Sequence, residues 1–331
     1  MSSKIVELQG LRCIAIISVL LYHIWPDLFV NGFLGVDIFF VISGYFMALI
    51  LLTPKKVNSF KNFTFSFYYR RIYRILPLYL INIFSTLIIV PSISYTLKWP
   101  DFLLQIKSAL TFSTNFAMLF EDRNYFDTSL SFEWFKHYWS LCVEMQFYAI
   151  IPFLAYFCRK LPTWINLFLI WPSIIAVSQC LSIYMLVNFG QIGNNFTFGM
   201  LPTRIWQFSA GFCVFYALKY FDEISDCKFL IFMLHVLRHS IITNVLAVLL
   251  LSITLFPKIL NQAYAQIGTI VLTSILIAGI GRQKEKEELQ FSILSNRFIV
   301  FIGDASYSLY ISHWIFVTFS NILFEHSEAS M

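Results

Sequence analysis

An arginine and a histidine, Arg12 and His23, lie 11 positions apart in the first apolar stretch of the chain. On an α-helix, 11 steps of about 100° make roughly three turns, so both side chains share one face about 16 Å apart. Ionisable side chains are costly inside a bilayer, and by default they indicate function. A neutral imidazole can take a proton from a hydroxyl and return it later. The structural alternative is an arginine that snorkels to the headgroups and a histidine satisfied by a neighbouring helix.

Three arginines, Arg70, Arg71 and Arg74, precede the third apolar stretch. Arg71 and Arg74 are i,i+3 neighbours, so they project together from a helix. A membrane-topology anchor explains one or two of these groups. Guanidinium groups also bind phosphate bidentately. Charge alone therefore favours an anchor and a phosphate site equally.

A carboxylate, Glu144, lies inside a later apolar stretch, with Gln146 and Tyr148 following it. An unpaired carboxylate there would cost free energy or stay protonated. A functional role is therefore favoured over a purely structural one.

The second apolar stretch contains Ser43 and Gly44, and Asp37 lies near its start. Small residues let helices approach closely, so packing is the favoured interpretation of Ser43 and Gly44. Asp37 is expected to need a partner, because it lies near the membrane boundary.

Near the C-terminus, Ser306, Tyr310 and His313 fall on one helical face at i, i+4 and i+7. The preceding Asp304 is predicted to cap the last helix.

The composition places the chain in a membrane. It has 331 residues, of which 58% are hydrophobic and 12% are charged, whereas soluble domains carry about 25% charged residues. The six cysteines include no C-x-x-C pair, so neither a zinc site nor a redox dithiol is predicted, and no metal is expected. The net charge of +5 is small and gives no indication of nucleic acid binding.

Windows of about 20 apolar residues can each cross a bilayer, and they predict an all-α, polytopic membrane helix bundle with about ten transmembrane helices. The predicted spans are 11–30, 33–53, 75–97, 102–120, 139–158, 163–189, 201–220, 232–257, 264–281 and 302–324. Residues 102–120 include Gln105, Lys107 and Asn115, and they either span or re-enter the membrane. One membrane-embedded domain is expected over residues 1–331.

Basic residues set the predicted orientation. The loop before the third span carries Lys55, Lys56 and Lys61, so this loop and the N-terminus are predicted to be cytoplasmic. Ten alternating spans would place Arg159 and Lys160 outside, whereas a re-entrant 102–120 places them inside. The charge pattern favours the re-entrant arrangement. Which membrane holds the chain is left open.

Six short motifs occur in an order that resembles the acyltransferase-3 family of integral membrane O-acyltransferases, which includes O-antigen acetylases and their nematode-type relatives. The motifs are Leu8-Gln9-Gly10-Leu11-Arg12 followed by His23; Phe39-Phe40-x-x-Ser43-Gly44-Tyr45; Arg71 and Arg74 before Pro77; Trp139-Ser140-Leu141-x-x-Glu144-x-Gln146-Phe147-Tyr148; Arg204 with Gly211; and Ser306-Tyr307-Ser308-Leu309-Tyr310-x-x-His313. Each motif is weak, but six in this order are strong.

The resemblance implies transfer of an acyl group, usually acetyl from a cytoplasmic acyl-CoA, to a hydroxyl of a carbohydrate or lipid within or beyond the membrane. His23 would be the catalytic base or an acyl relay, with Arg12 as its partner. Glu144 would orient the histidine or hold the acceptor. The residues expected to bind the donor are Arg70, Arg71, Arg74 and Ser43.

Many relatives of this kind continue into a lumenal SGNH-type hydrolase domain. No such domain is expected within these 331 residues. A second transfer step is therefore expected to need a separate lumenal partner of the hydrolase type, or to be absent.

Two other functions stay open. A proton-coupled transporter would use Arg12, His23, Glu144 and His313 as a relay across the bilayer. No internal repeat of the kind that transporters show is visible. A catalytically inactive member of the family is the second alternative, which the presence of both Arg12 and His23 disfavours.

Overall fold

A computed structural model of the chain describes residues 5–53, 60–93, 98–120, 134–223, 236–237, 239–280 and 292–328. Within these ranges the secondary structure is helical, with no β-strand. The all-α prediction is confirmed for this part of the chain. Lys55 and Lys56, which helped to set the predicted orientation, lie outside the described residues.

The helices follow one another with short connections. In chain order they are α1 Val6–Ile24, α2 Gly35–Leu52, α3 Phe60–Ile93, α4 Trp99–Leu110, α5 Thr114–Ala117, α6 Trp139–Cys158, α7 Thr163–Ile165, α8 Trp171–Asn188, α9 Gly190–Gly199, α10 Leu201–Glu223, α11 Ser240–Thr254, α12 Gln262–Ile280 and α13 Arg297–Glu328. Short 3₁₀ turns occur at Gly32–Leu34, Met118–Phe120, Lys136–Tyr138 and Ile293–Ser295, and a π-helical turn at Asn166–Ile170 joins α7 to α8.

Among the described residues, six stretches are long and apolar enough to cross a membrane. They are Val6–Ile24, Gly32–Leu52, Phe63–Ser92, Lys136–Cys158, Thr163–Asn188 and Gln262–Ile280. The shorter α11 is also apolar. A polytopic membrane chain agrees with this finding, whereas the predicted count of about ten spans is not confirmed.

The first predicted span ends earlier than expected. α1 stops at Ile24 rather than at residue 30, because Pro26 disfavours helical geometry at the residue before it and cannot donate a backbone hydrogen bond. His23 therefore lies in the last turn of α1.

The segment 102–120 does not form one helix. α4 ends at Leu110, and Phe112 has a φ of 52°, which a right-handed helix does not accommodate. With 12 residues, α4 is about 18 Å long, well short of the roughly 30 Å hydrocarbon core. The prediction of a single spanning helix here is wrong, and re-entry stays a prediction.

Two helices begin earlier than predicted. α3 starts at Phe60 rather than at residue 75, so Arg71 lies within the helix instead of at its start. α13 starts at Arg297, which places Asp304 inside the helix. The predicted cap at Asp304 is therefore wrong.

The chain divides into two compact units. The first unit combines the described residues of Met1–Thr53, Phe157–Val177 and Ile205–Tyr307. The second combines those of Pro54–Tyr156, Ser178–Arg204 and Ser308–Met331.

In the first unit, two glycines let α2 and α10 approach closely. Gly44 faces the backbone of Phe208, and Gly211 faces the backbone of Val41 and Tyr45. A Cβ atom at either glycine would have no room. The packing interpretation of Gly44 is therefore confirmed.

In the second unit, α3 and α6 run antiparallel. Near the start of α3, the hydroxyl of Tyr68 donates to the carbonyl of Ala149 at 2.8 Å. Further along α3, the ring of Tyr79 packs 4.8 Å from that of Tyr138, directly before α6. Residue numbers rise along one helix as they fall along the other. This pairing sets the polar groups of α3 against defined levels of α6.

Candidate functional site

Arg71 lies between two aromatic rings of the second unit. Its guanidinium carbon is 5.8 Å from the ring centroid of Phe67 and 5.7 Å from that of Tyr148. Both distances are within cation–π range. Arg71 is half-buried, whereas Arg70 and Arg74 are exposed. One of the three predicted arginines is thus built into the helix packing.

The carboxylate of Glu144 belongs to the same cluster. Tyr148, one turn further along α6, donates its hydroxyl hydrogen to Glu144 Oε1. Glu144 attracts the charge on Arg71, and Arg74 repels it. The structure therefore brings together three of the predicted site residues, namely Arg71, Arg74 and Glu144.

These groups fit an anionic ligand. Three guanidinium groups and one carboxylate leave the cluster with a net positive charge, and planar guanidinium groups match phosphate geometry. Arg70 also donates to the hydroxyl of Ser66, one turn back on α3. The carboxylate of Glu144 competes with a phosphate for Arg71, so the exposed arginines carry more of the anion-binding capacity than charge counting suggests.

Arg12 and His23 lie on α1 in the first unit. Both are half-buried, and the ring of His23 is 5.1 Å from that of Tyr22. Their spacing of about three turns is retained because α1 is continuous between them.

Ser43 lies on α2, which packs antiparallel to α1. Gly32, at the start of α2, faces the backbone of Ser18, and Gly35 faces that of Ala15. Continued along both helices, this register brings Ser43 level with the N-terminal half of α1, which contains Arg12. Ser43 thus belongs to the first unit, whereas the three arginines assigned with it to donor binding belong to the second.

Asp37 has a partner that was not predicted from the sequence. Gln207 Nε2 donates to Asp37 Oδ1 at 3.0 Å, and the two side chains are 0% and 2% exposed, respectively. The hydrogen bond meets the requirement of a buried carboxylate for a donor.

A second polar group lies where α6 begins, and it involves α13. The rings of His137 and His313 are 5.2 Å apart, and Trp314 packs 5.6 Å from His137. His137 and His313 are 1% and 6% exposed. Tyr310 hydrogen-bonds to Ser140 through its hydroxyl. The one-face pattern at the C-terminus pointed to Tyr310 and His313, whereas His137 was missed.

Arg204 is a buried cation in the second unit. Its Nε donates to the carbonyl of Phe198 at 2.7 Å, and its guanidinium carbon lies 5.5 Å from the ring of Trp139. The side chain is 4% exposed. These contacts give Arg204 a clear packing role at the start of α10.

The sequence model of the acyltransferase-3 family, described as an acyltransferase domain, matches residues 5–330. This chain belongs to that family. It is 31% identical over 324 residues to a protein of Staphylococcus aureus (strain COL) whose name assigns it provisionally as an O-acetyltransferase, with 94% of this chain and 50% of that protein covered. It is 28% identical over 327 residues to the O-acetyltransferase OatA of Staphylococcus aureus (strain NCTC 8325 / PS 47), with 95% and 51% covered.

This acyltransferase-3 chain spans about half the length of the curated relatives that it matches. No solved structure matches it significantly. The family resemblance predicted from the six motifs is confirmed. Within the described residues, no group of three or more His, Cys, Asp or Glu side chains is placed to hold a metal ion.

Proposed function

We propose that this chain is an integral membrane O-acyltransferase that moves an acyl group, acetyl by default, from a cytoplasmic acyl-CoA to a hydroxyl of a carbohydrate or lipid at the membrane or on its lumenal side. The observation that carries the proposal is the cluster of Arg71, Arg74 and Glu144, in a chain that belongs to an acyltransferase family. The names of the relatives support acetyl as the transferred group.

The donor phosphates would bind at the arginine cluster. Arg71 is held on the faces of Phe67 and Tyr148, which keeps its planar fork in place. Arg70 and Arg74 are exposed and can follow the phosphates. Ser43 is assigned to the donor as well, through the family motif that contains it.

The proton transfer is assigned to the first unit. His23 would take the proton of the acceptor hydroxyl, or would carry the acyl group as a relay, and Arg12 would support it from the same face of α1. A base near neutrality typically contributes about 10²- to 10⁴-fold to the rate. Glu144 would hold the acceptor or orient the histidine, as the family resemblance implies. Its contact with Tyr148 supports a further role in balancing the charge of Arg71.

The membrane arrangement is proposed as about ten membrane-inserted segments with a cytoplasmic N-terminus, of which 102–120 re-enters. The antiparallel pairing of α3 with α6 supports this arrangement. Two antiparallel spans require the chain between them to begin and end on the same side of the membrane. Residues 1–331 would form one membrane domain, and a separate lumenal hydrolase-type partner would perform any second transfer.

The proposal is tested by acyl transfer in membrane vesicles that contain the chain. Radiolabelled acetyl-CoA is added to the cytoplasmic face, and label in lipid and carbohydrate fractions is measured. We expect the His23→Ala variant and the Arg71→Ala variant each to lose transfer, while Arg297→Ala, which removes an exposed arginine at the start of α13, retains it. Full transfer by both the His23 and the Arg71 variants would contradict the proposal and favour the proton-coupled transporter or the inactive member.

A further inference from the structure

We infer that His313 is a second proton-accepting catalytic residue of this chain, and that the acyl thioester of the donor lies beside it in the second unit. The inference rests on the proposed use of an acyl-CoA donor whose phosphates bind at Arg71. It assigns a reacting-end location that the family motifs do not assign.

A polar face of α6 connects the two ends of this arrangement. Four polar side chains share it, counting the 3₁₀ turn directly before the helix: His137, Ser140, Glu144 and Tyr148. Their spacing of three, four and four residues keeps them within about one quarter of the helix circumference. At one end Tyr148 contacts Arg71, and at the other end His137 contacts His313.

The length of this face matches the arm of the donor. Ser140 and His137 lie about 12 Å and about 16 Å, respectively, from the level of Tyr148 along the helix axis. The pantetheine arm of CoA has about 12 chain atoms between its phosphate and its sulfur. This is the backbone length of roughly four extended residues, or about 14 Å. A donor whose phosphates lie at Arg71 can therefore reach the two histidines with its thioester.

The hydrogen bonds of His313 define its chemistry. Its Nδ1 lies 2.7 Å from the carbonyl oxygen of Tyr310 and 3.2 Å from that of Leu309. Carbonyl oxygens only accept hydrogen bonds, so Nδ1 carries the hydrogen, and the lone pair of the neutral ring is on Nε2. The imidazole is thus held in the tautomer that accepts a proton at Nε2.

Tyr310 fixes the position of this ring relative to α6. Its hydroxyl donates to the backbone carbonyl of His137 at 3.1 Å. A phenol has a single hydrogen to donate, so Ser140 is the donor in its bond with Tyr310. Two hydrogen bonds therefore tie α13, at the level of His313, to the start of the polar face. Glu144 acts electrostatically on Tyr310 as well as on Arg71.

The proposed step balances as follows. The proton of the attacking hydroxyl moves to Nε2 of His313 while the hydroxyl oxygen bonds to the acyl carbon. The bond between that carbon and sulfur breaks, and the sulfur leaves as a thiolate that takes the proton back from the imidazolium. The products are an ester and the CoA thiol. When water is the attacking group, the products are the free carboxylic acid and the CoA thiol.

The test uses the His313→Asn variant of the full chain, purified in detergent. The amide nitrogen of asparagine replaces Nδ1 as a donor to the two carbonyls, but asparagine has no counterpart of Nε2. We expect CoA release from acetyl-CoA, measured with a thiol reagent, to fall by about 100-fold or more, while the Kd for acetyl-CoA stays within about twofold of the wild-type value. His239→Asn, at an exposed histidine before α11, is the matched control and should release CoA at the wild-type rate.

Release by His313→Asn within about threefold of the wild-type rate would overturn the inference, since a merely structural histidine is replaced by asparagine without loss. A second measurement uses an acyl-CoA with a photoreactive diazirine on its acyl chain. Crosslinks should map to the start of α6 or to α13 near His313, and crosslinks confined to other helices would overturn the inference. Failure of the proposed function itself shows separately, as acetyl-CoA binding that Arg71→Ala does not weaken.

Discussion

Arg71 differs from the arginines on either side of it in what its guanidinium group touches. Phe67 and Tyr148 flank it, whereas Arg70 and Arg74 are exposed. A guanidinium held on ring faces is already positioned, so less conformational entropy is lost when it binds an anion. The aromatic neighbours should therefore contribute to donor affinity without touching the donor.

Replacement of Tyr148 separates its ring from its hydroxyl. Tyr148→Leu removes the cation–π contact, which is worth about 0.5–1 kcal/mol, and should raise the Kd for acetyl-CoA roughly two- to fivefold. Tyr148→Phe keeps the ring and removes only the hydrogen bond to Glu144, so its Kd should stay near the wild-type value. Isothermal titration calorimetry measures both. Equal affinities for the two variants would show that the ring does not hold Arg71.

Some important polar residues could not be predicted from the sequence. Glu144 was predicted because a carboxylate in an apolar stretch is conspicuous by itself. His137 and Gln207 were missed, because a single polar side chain in a helix forms no pattern until its partner is known. Those partners, His313 and Asp37, lie about 170 positions away in the chain.

Hydropathy predicted most of the helices but fewer of their ends. The end of α1 and the break after Leu110 depend on local backbone geometry around Pro26 and Phe112, to which an average over about 20 residues is insensitive. The start of α3 was missed because its first turns are polar enough to resemble a loop. What positions the arginine cluster is thus a helix rather than a loop.

The contact between α2 and α10 gives a prediction at the level of the helices. Gly44→Ala places a methyl group against the backbone of Phe208, and overpacking of this kind typically costs about 1–3 kcal/mol of stability. Gly268→Ala is the matched control, because its Cβ would meet only the side chain of Ile253 at an ordinary 3.9 Å. Thermal unfolding in detergent should show a lower Tm for the first variant only. A wild-type Tm for Gly44→Ala would contradict the close helix contact.

The topology of the whole chain depends on whether the segment between α3 and α6 crosses the membrane. The antiparallel packing of these two helices is what a re-entrant 102–120 requires. In that arrangement the arginine cluster and the loop with Arg159 lie on one side, in agreement with the distribution of basic residues.

Cysteine labelling in intact vesicles tests this arrangement. In a background without the native cysteines, Thr53→Cys and Lys160→Cys should react with a membrane-impermeant maleimide from the same side. Asn188→Cys, at the end of α8, should react from the opposite side. Labelling of Thr53→Cys and Lys160→Cys from opposite sides would show that 102–120 crosses the membrane.

The measurement that tests the central claim most directly is binding of radiolabelled acetyl-CoA to the purified chain. The account predicts saturable binding that Arg71→Ala weakens by about tenfold or more, equivalent to the loss of about 1.4 kcal/mol in a charge-assisted phosphate contact. The control Arg297→Ala should bind with the wild-type Kd. Absence of saturable binding at millimolar acetyl-CoA, or equal Kd values for the two variants, would contradict an acyl-CoA donor site at the arginine cluster.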